Sequence, residues 1–272
     1  MSDWKRHYDE NGYHFPVRVM SVEQAAEYRR RLEAAEARAA ENVEARKLMH
    51  LQPGAVLDFV DEISRLPSIV EPVTRILGDD VLRWNATLFV KEPKSPTYIS
   101  WHQDLTYWGM DDSHEVTAWV ALSNVTTATG CMKFVPGSHK RDIVEHVDTF
   151  AEDNLLSRGQ ELTVEVDEDE AVHVELAPGE MSLHHGKLFH GSSPNTTDDR
   201  RIGLALRYIA PSMSQSSGVK PYARLVAGED RFGHYRLMGS PAGVLDEGDL
   251  ALAAENVRVQ EQFLFAGDRF RS

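Results

Sequence analysis

Between residues 81 and 209 the chain carries a series of short β-rich runs, and these limit the fold more than any other feature. The runs are 81–91, 116–125, 131–135, 180–183 and 202–209, each rich in Val, Ile, Leu, Phe, Trp or Thr. Turn signals separate them: Ala128-Thr129-Gly130, Pro136-Gly137-Ser138 and Pro178-Gly179. Upstream the pattern is helical. Ser21-Val22-Glu23-Gln24 reads as a capping box opening a long helix over about 22–46. Leu57, Val60, Ile63 and Leu66 mark a second amphipathic helix. Val70, Val73 and Ile76 mark a third, which stops at Gly78. The expectation is a mainly β protein with flanking helices, the helices packed on an antiparallel core. A chain of 272 residues suits one large domain, 1–272, with N-terminal helices at about 21–78. The β core then spans about 80–210 and a C-terminal extension 211–272, weakly patterned until the run Gln260 to Phe265. The polar, acidic stretch 140–169 is long for a connection and is a candidate lid.

Composition narrows the partners. The formal net charge of -14 repels phosphate backbones and anionic lipid, so neither nucleic acid nor membrane is expected. The single cysteine, Cys131, cannot form an internal disulfide or a thiolate cluster, and its apolar neighbours mark it as a small buried hydrophobe. No apolar stretch has the length of a spanning helix, and MSDWKRHYDENGY is unlike a signal peptide, so the sequence reads as soluble and cytoplasmic. It does not define an oligomeric state.

The chemistry concentrates in Trp101-His102-Gln103-Asp104. In a strand, residues i and i+2 share a face, so His102 and Asp104 can present an imidazole and a carboxylate to one point. Two His and one carboxylate on one face of a metal leave three positions open, the ligand set of non-haem iron(II) oxygenases. On its own H-x-D recurs by chance. A second segment adds weight: Phe189-His190-Gly191-Ser192-Ser193-Pro194-Asn195, with Arg201 eleven positions after His190. A strand, a turn and a return strand bring Arg201 beside the His190 end. Its planar fork suits a bidentate carboxylate.

Three segments resemble the phytanoyl-CoA dioxygenase family: His102-Gln103-Asp104, the run Gly130-Cys131-Met132-Lys133-Phe134-Val135-Pro136-Gly137-Ser138-His139, and His190-Gly191-Ser192-Ser193-Pro194-Asn195 through Arg201. Where relatives often have Glu-Asn before the glycine of the second segment, this chain has Ala128-Thr129. The resemblance covers roughly 80–210 and implies a double-stranded β-helix, the jelly-roll barrel also seen in cupins. It implies His102, Asp104 and His190 as iron(II) ligands, and Arg201 with Ser192 on the distal carboxylate of 2-oxoglutarate. It places Trp119 and Thr87 along that co-substrate, and Asn85 shares the strand face of Thr87. Tyr107 and Trp108 are candidate substrate-facing aromatics, core packing being the other use of such rings. The implied reaction consumes O2, converts 2-oxoglutarate to succinate and CO2, and hydroxylates a small molecule. Relatives that halogenate have a small residue at the Asp104 position, so the carboxylate here favours hydroxylation.

Other residues fit this chemistry less well. His184 and His185 lie near His190, but neither has an arginine at the matching distance. His139 follows a turn and suits local hydrogen bonding. His114-Glu115 lacks the second histidine of a zincin, since Ala118 stands there. No G-x-S-x-G elbow and no phosphate loop occurs. Two other functions stay open: the same chemistry on an acyl-CoA or carrier-bound substrate, and a metal-binding cupin-like protein without turnover.

Overall fold

The computed structural model of the protein describes residues 3–156 and 158–264. The N-terminal part runs α1 (Asp3–Asn11), β1 (Tyr13–Arg18), α2 (Val22–Arg38), α3 (Val43–Leu51), α4 (Pro53–Val56), α5 (Asp58–Ser64) and α6 (Pro67–Leu77). Then come β2 (Val81–Lys91), β3 (Ile99–His102), β4 (Glu115–Ala121), β5 (Met132–Phe134), β6 (His146–Asp148), β7 (Gln160–Leu162), β8 (Val172–Val174), β9 (Glu180–His184), β10 (His190–Ser192) and β11 (Arg201–Ile209). The chain closes with β12 (Tyr222–Ala227), β13 (Arg236–Leu237) and α7 (Glu247–Leu264). Hydrogen bonds order one sheet β1-β9-β4-β11-β2-β12-β13 and a second β3-β10-β5-β8, with β6 and β7 paired apart.

The residues gather into two compact units. The first comprises the chain up to Ala26, Phe89–Thr106 and Thr117–Leu204; the second comprises Glu27–Leu88, Tyr107–Val116 and the chain from Ala205 on.

In the first unit, β9 runs antiparallel between β1 and β4, with His184 opposite both Tyr13 and Thr117. The β3-β10-β5-β8 sheet lies wholly within this unit, with His190 opposite both His102 and Phe134. Phe134 is fully buried and joins the sheets: its ring lies 5.3 Å from Tyr13 and 5.1 Å from His184. Burying a phenyl ring contributes about 2–3 kcal/mol, so this contact fixes the spacing of the two sheets.

The second unit holds most of α2 and all of α3 to α7, while α1 and the start of α2 belong to the first. The expected capping box forms: Ser21 N–H donates to Gln24 Oε1 at 3.0 Å and Gln24 N–H to Ser21 Oγ at 3.2 Å. The single helix expected over about 22–46 is instead two. α2 ends at Arg38, and Asn42 caps α3 by accepting from Ala45 N–H at 3.0 Å. Gly78, at φ +90, ends α6 where expected. Asp61 is 1% exposed and receives Arg83 at 3.3 Å, Arg224 at 3.2 Å, Arg65 at 3.0 Å and the Ser240 hydroxyl at 2.9 Å. This knot ties α5 to β2 and β12. α7 was not expected; Phe265, the last residue of the run noted at Gln260, lies outside the described residues.

Candidate metal centre and co-substrate pocket

The candidate metal-binding residues sit where the four-stranded sheet ends. β3 stops at His102, and Asp104 opens a 3-10 turn, Asp104–Tyr107. The expected two-residue alternation along one strand is therefore not what aligns them; the turn swings the carboxylate back to the imidazole. His102 Nε2 lies 3.5 Å from Asp104 Oδ1. The cross-strand pairing of His102 with His190 adds the third group, ring centroids 4.1 Å apart. One ligand atom from each of His102, Asp104 and His190 lies within 4.8 Å of the others.

Both imidazoles are oriented by the backbone. His102 Nδ1 pairs with Ser100 O and His190 Nδ1 with Leu188 O, each at 2.9 Å. A carbonyl oxygen only accepts, so each Nδ1 carries the proton and each Nε2 keeps its lone pair for a metal. Burial, and then the proximity of His102, holds His190 well below the usual histidine range, so it stays neutral as a ligand must. Gln103, fully buried between the two ligands, is itself pinned. Its N–H donates to His146 Nε2 at 3.0 Å, its amide donates to Lys187 O at 2.9 Å, and its Oε1 accepts from Val144 N–H at 2.9 Å. Those bonds, with Asn154 donating to Ser100 Oγ at 2.8 Å, tie the 140–169 segment to β3.

Two buried basic residues, Arg201 and Lys91, lie in the same unit as this centre. Arg201, 1% exposed, donates from Nη1 to Phe89 O at 3.3 Å, while its Nε and Nη2 have no hydrogen-bond partner. Its guanidinium lies 5.4 Å over the Trp119 ring. Burial lowers its pKa to about 10, and it remains charged. Arg201 does not return on a strand beside β10, as the spacing suggested. It opens β11 in the other sheet. Ser192, buried on β10, pairs with Lys91 Nζ at 2.7 Å, and Lys91 also bonds Ser193 O.

The remaining expected residues form other contacts. Thr87 Oγ1 accepts from Arg207 at 2.8 Å. Trp108 is buried 4.9 Å from Trp84, with the Arg207 guanidinium 5.5 Å over it. Asn85 Oδ1 accepts from the neighbouring Ala86 N–H at 2.7 Å, and Tyr107, half-buried, ends the 3-10 turn. His139 Nε2 pairs with Asp9 O at 3.2 Å, 130 residues away rather than within its own turn, and Cys131 is free and buried. Lys91 was not singled out. A lysine ending an apolar run reads as a strand end in water, and nothing local signals its burial.

The model of the phytanoyl-CoA dioxygenase family matches residues 8–203, and the chain belongs to that family. Among curated relatives, a probable alpha-ketoglutarate-dependent hypophosphite dioxygenase of Stutzerimonas stutzeri is 29% identical over 160 residues, 58% of this chain and 55% of that protein. The L-proline trans-4-hydroxylase of Streptomyces griseoviridis is 26% identical over 176 residues, 58% of this chain and 65% of that protein. The chain spans about half the length of the curated relatives it matches first. Among solved structures, the apo form of the non-heme monooxygenase ThoJ superposes with a TM-score of 0.88 at 29% identity, covering 98% of this chain and 99% of that one. CytC3 with Fe(II) and alpha-ketoglutarate shares the fold, with a TM-score of 0.67 at 21% identity over 90% of this chain and 96% of that one. The jelly-roll expectation for the core agrees with these neighbours. Among the described residues no helix is long and apolar enough to cross a membrane.

Proposed function

We propose that the protein is an Fe(II)- and 2-oxoglutarate-dependent dioxygenase that hydroxylates a C–H bond of a small molecule. The observation that carries the reading is the occurrence, in one compact unit, of a two-His, one-carboxylate cluster and a buried guanidinium with two unsatisfied nitrogens. The donor set fits divalent iron with open positions. The guanidinium fits the far carboxylate of a dicarboxylic oxo acid, because a carboxylate accepts from Nε and Nη2 and also cancels the buried positive charge. ThoJ has been solved as a nickel complex, and CytC3 with Fe(II) and alpha-ketoglutarate; both are consistent with a metal at this place in the fold.

Iron, when bound, supplies the activation of O2 by the electrons of the oxo acid. The chain's own groups do the rest. His102 and His190 offer Nε2 and Asp104 a carboxylate oxygen, held in place by Ser100 O and Leu188 O. Arg201, backed by Trp119, and the Ser192 hydroxyl grip the distal carboxylate, so the oxo-acid end meets the metal in one orientation. Phe134, against His190 at 6.2 Å, keeps water from the ligand side.

The test is turnover under 18O2 with Fe(II) and 2-oxoglutarate. Succinate carrying one labelled oxygen, its formation abolished in His190→Ala, is the expected outcome. Succinate at the same rate in that variant, or none from the parent with any of a panel of small-molecule and CoA-linked candidates, would contradict the proposal.

A further inference from the structure

Lys91 is a buried amine that the ligand chemistry above does not use. Its side chain is 0% exposed. Its Nζ pairs with Ser192 Oγ at 2.7 Å, on the strand that carries His190, and bonds Ser193 O just beyond that strand. The groups whose charge acts on it are Arg201, from β11, and the Cys131 thiol, just ahead of β5. Arg201 is itself 1% exposed and retains two unsatisfied nitrogens. Among the described residues no carboxylate acts on either cation. Two basic groups buried together without an anion are unfavourable when both are charged. The arginine cannot give up its proton at neutral pH, but the lysine can.

Resting on the function proposed above, we infer that Lys91 is a positioning residue for the distal carboxylate of the oxo acid, acting through Ser192, and that docking of this carboxylate draws one proton onto Lys91. An ammonium at Lys91 donates to Ser192 Oγ, which leaves the hydroxyl proton of Ser192 free to point at the incoming anion. A neutral amine has a lone pair and, with one N–H on Ser193 O, can accept that hydroxyl proton and turn it away. The anion, the serine and the lysine thus form one donor chain that is complete only when the carboxylate is present. The step is a simple protonation: the Nζ lone pair takes a proton from solvent, and no other bond changes. A monocarboxylic oxo acid does not provide the charge that makes the uptake favourable. Burial, and then Arg201, lower the pKa of free Lys91 to about 6, so the amine is neutral in the empty protein at pH 7.5.

The experiment is anaerobic titration calorimetry on the Mn(II)-loaded protein with 2-oxoglutarate, repeated in buffers of different ionisation enthalpy to count protons. The expected uptake is about one proton at pH 7.5 and about half a proton at pH 6. With 2-oxopentanoate, which has a methyl in place of the distal carboxylate, uptake is expected to vanish. In Lys91→Met, 2-oxoglutarate should bind at least tenfold more weakly, with no uptake and with its advantage over 2-oxopentanoate largely lost. A parent uptake near zero at pH 7.5, or uptake unchanged in Lys91→Met, overturns the inference while 2-oxoglutarate binding stands. If Lys91→Met does not fold, the two parent pH values and the 2-oxopentanoate control decide alone. If 2-oxoglutarate does not bind the parent at all, the function proposed above fails and the inference fails with it.

Discussion

Substitution of Gly203 by alanine probes how the pocket floor is built. Gly203 lies on β11, two residues beyond Arg201 and on the same strand face. A Cβ at this position would come within 1.7 Å of Trp119 Cζ2 and 2.4 Å of Cε2 and Cη2. Carbon atoms rest about 3.5–4 Å apart, so the ring must retreat by roughly 2 Å. Trp119 is 3% exposed and has little room to do so. Overpacking of this kind costs about 1–3 kcal/mol, which for a chain of this size lowers Tm by about 2–10 °C. The ring also leaves the face it presents to Arg201 at 5.4 Å. A desolvated cation–π contact is worth about 1–2 kcal/mol, so the affinity for 2-oxoglutarate should fall roughly 5- to 30-fold. Thermal melts and 2-oxoglutarate titrations of the Mn(II)-loaded variant read the two effects separately. A Tm within 1 °C of the parent together with unchanged affinity would refute the packing argument. A lowered Tm with unchanged affinity would keep the packing and refute the role of Trp119 beneath Arg201.

Asp61→Ala removes the one acid shared by Arg83, Arg224 and Arg65, leaving Arg83, 3% exposed, without its carboxylate; urea unfolding should show a loss of about 3–5 kcal/mol. Gln103→Leu should lower the turnover number and make the 140–169 segment more protease-sensitive, because it cuts the bonds to Val144, His146 and Lys187 around the ligand pair; equal sensitivity in parent and variant would count against this. Stability of the metal-free protein should depend on pH through His185, whose pKa burial lowers to about 3. The unfolded chain takes up this proton near pH 6.5 and the folded chain does not, so the contribution is full above 6.5. It is lost at up to about 1.4 kcal/mol per pH unit as pH falls toward 3. Urea midpoints at pH 7, 6 and 5 for the parent and His185→Gln should diverge in slope; parallel slopes would contradict the assignment.

The residues that proved legible were those whose signal is covalent or local. The Ser21–Gln24 box and the Gly78 stop concern residues three or four apart, and both form as read. The His102, Asp104 and His190 set was recognisable because three dispersed motifs coincide, although the turn that aligns Asp104 was not. The parts that were missed depend on distant partners. β1 contains a proline and alternates poorly, and it is a strand only because β9 pairs with it. α7 buries amides rather than an apolar stripe: Gln52 donates to Gln260 Oε1 at 2.8 Å, and Asn256 to Gln52 Oε1 at 3.1 Å. A helix whose inward face is partly polar gives a weak hydrophobic period. Lys91 is the sharpest case. Its sequence context suggests solvent, and its burial follows from Ser192 and Ser193, 101 and 102 residues further on.

The most direct test of the central claim is the visible spectrum of the protein under anaerobic conditions, on adding Fe(II) and then 2-oxoglutarate. The account predicts a charge-transfer band that needs both additions, is lost in His190→Ala, and requires at least tenfold more 2-oxoglutarate in Arg201→Ala. No band with iron and 2-oxoglutarate both in excess would mean that the three-ligand centre does not chelate the oxo acid, and the oxygenase account would be wrong.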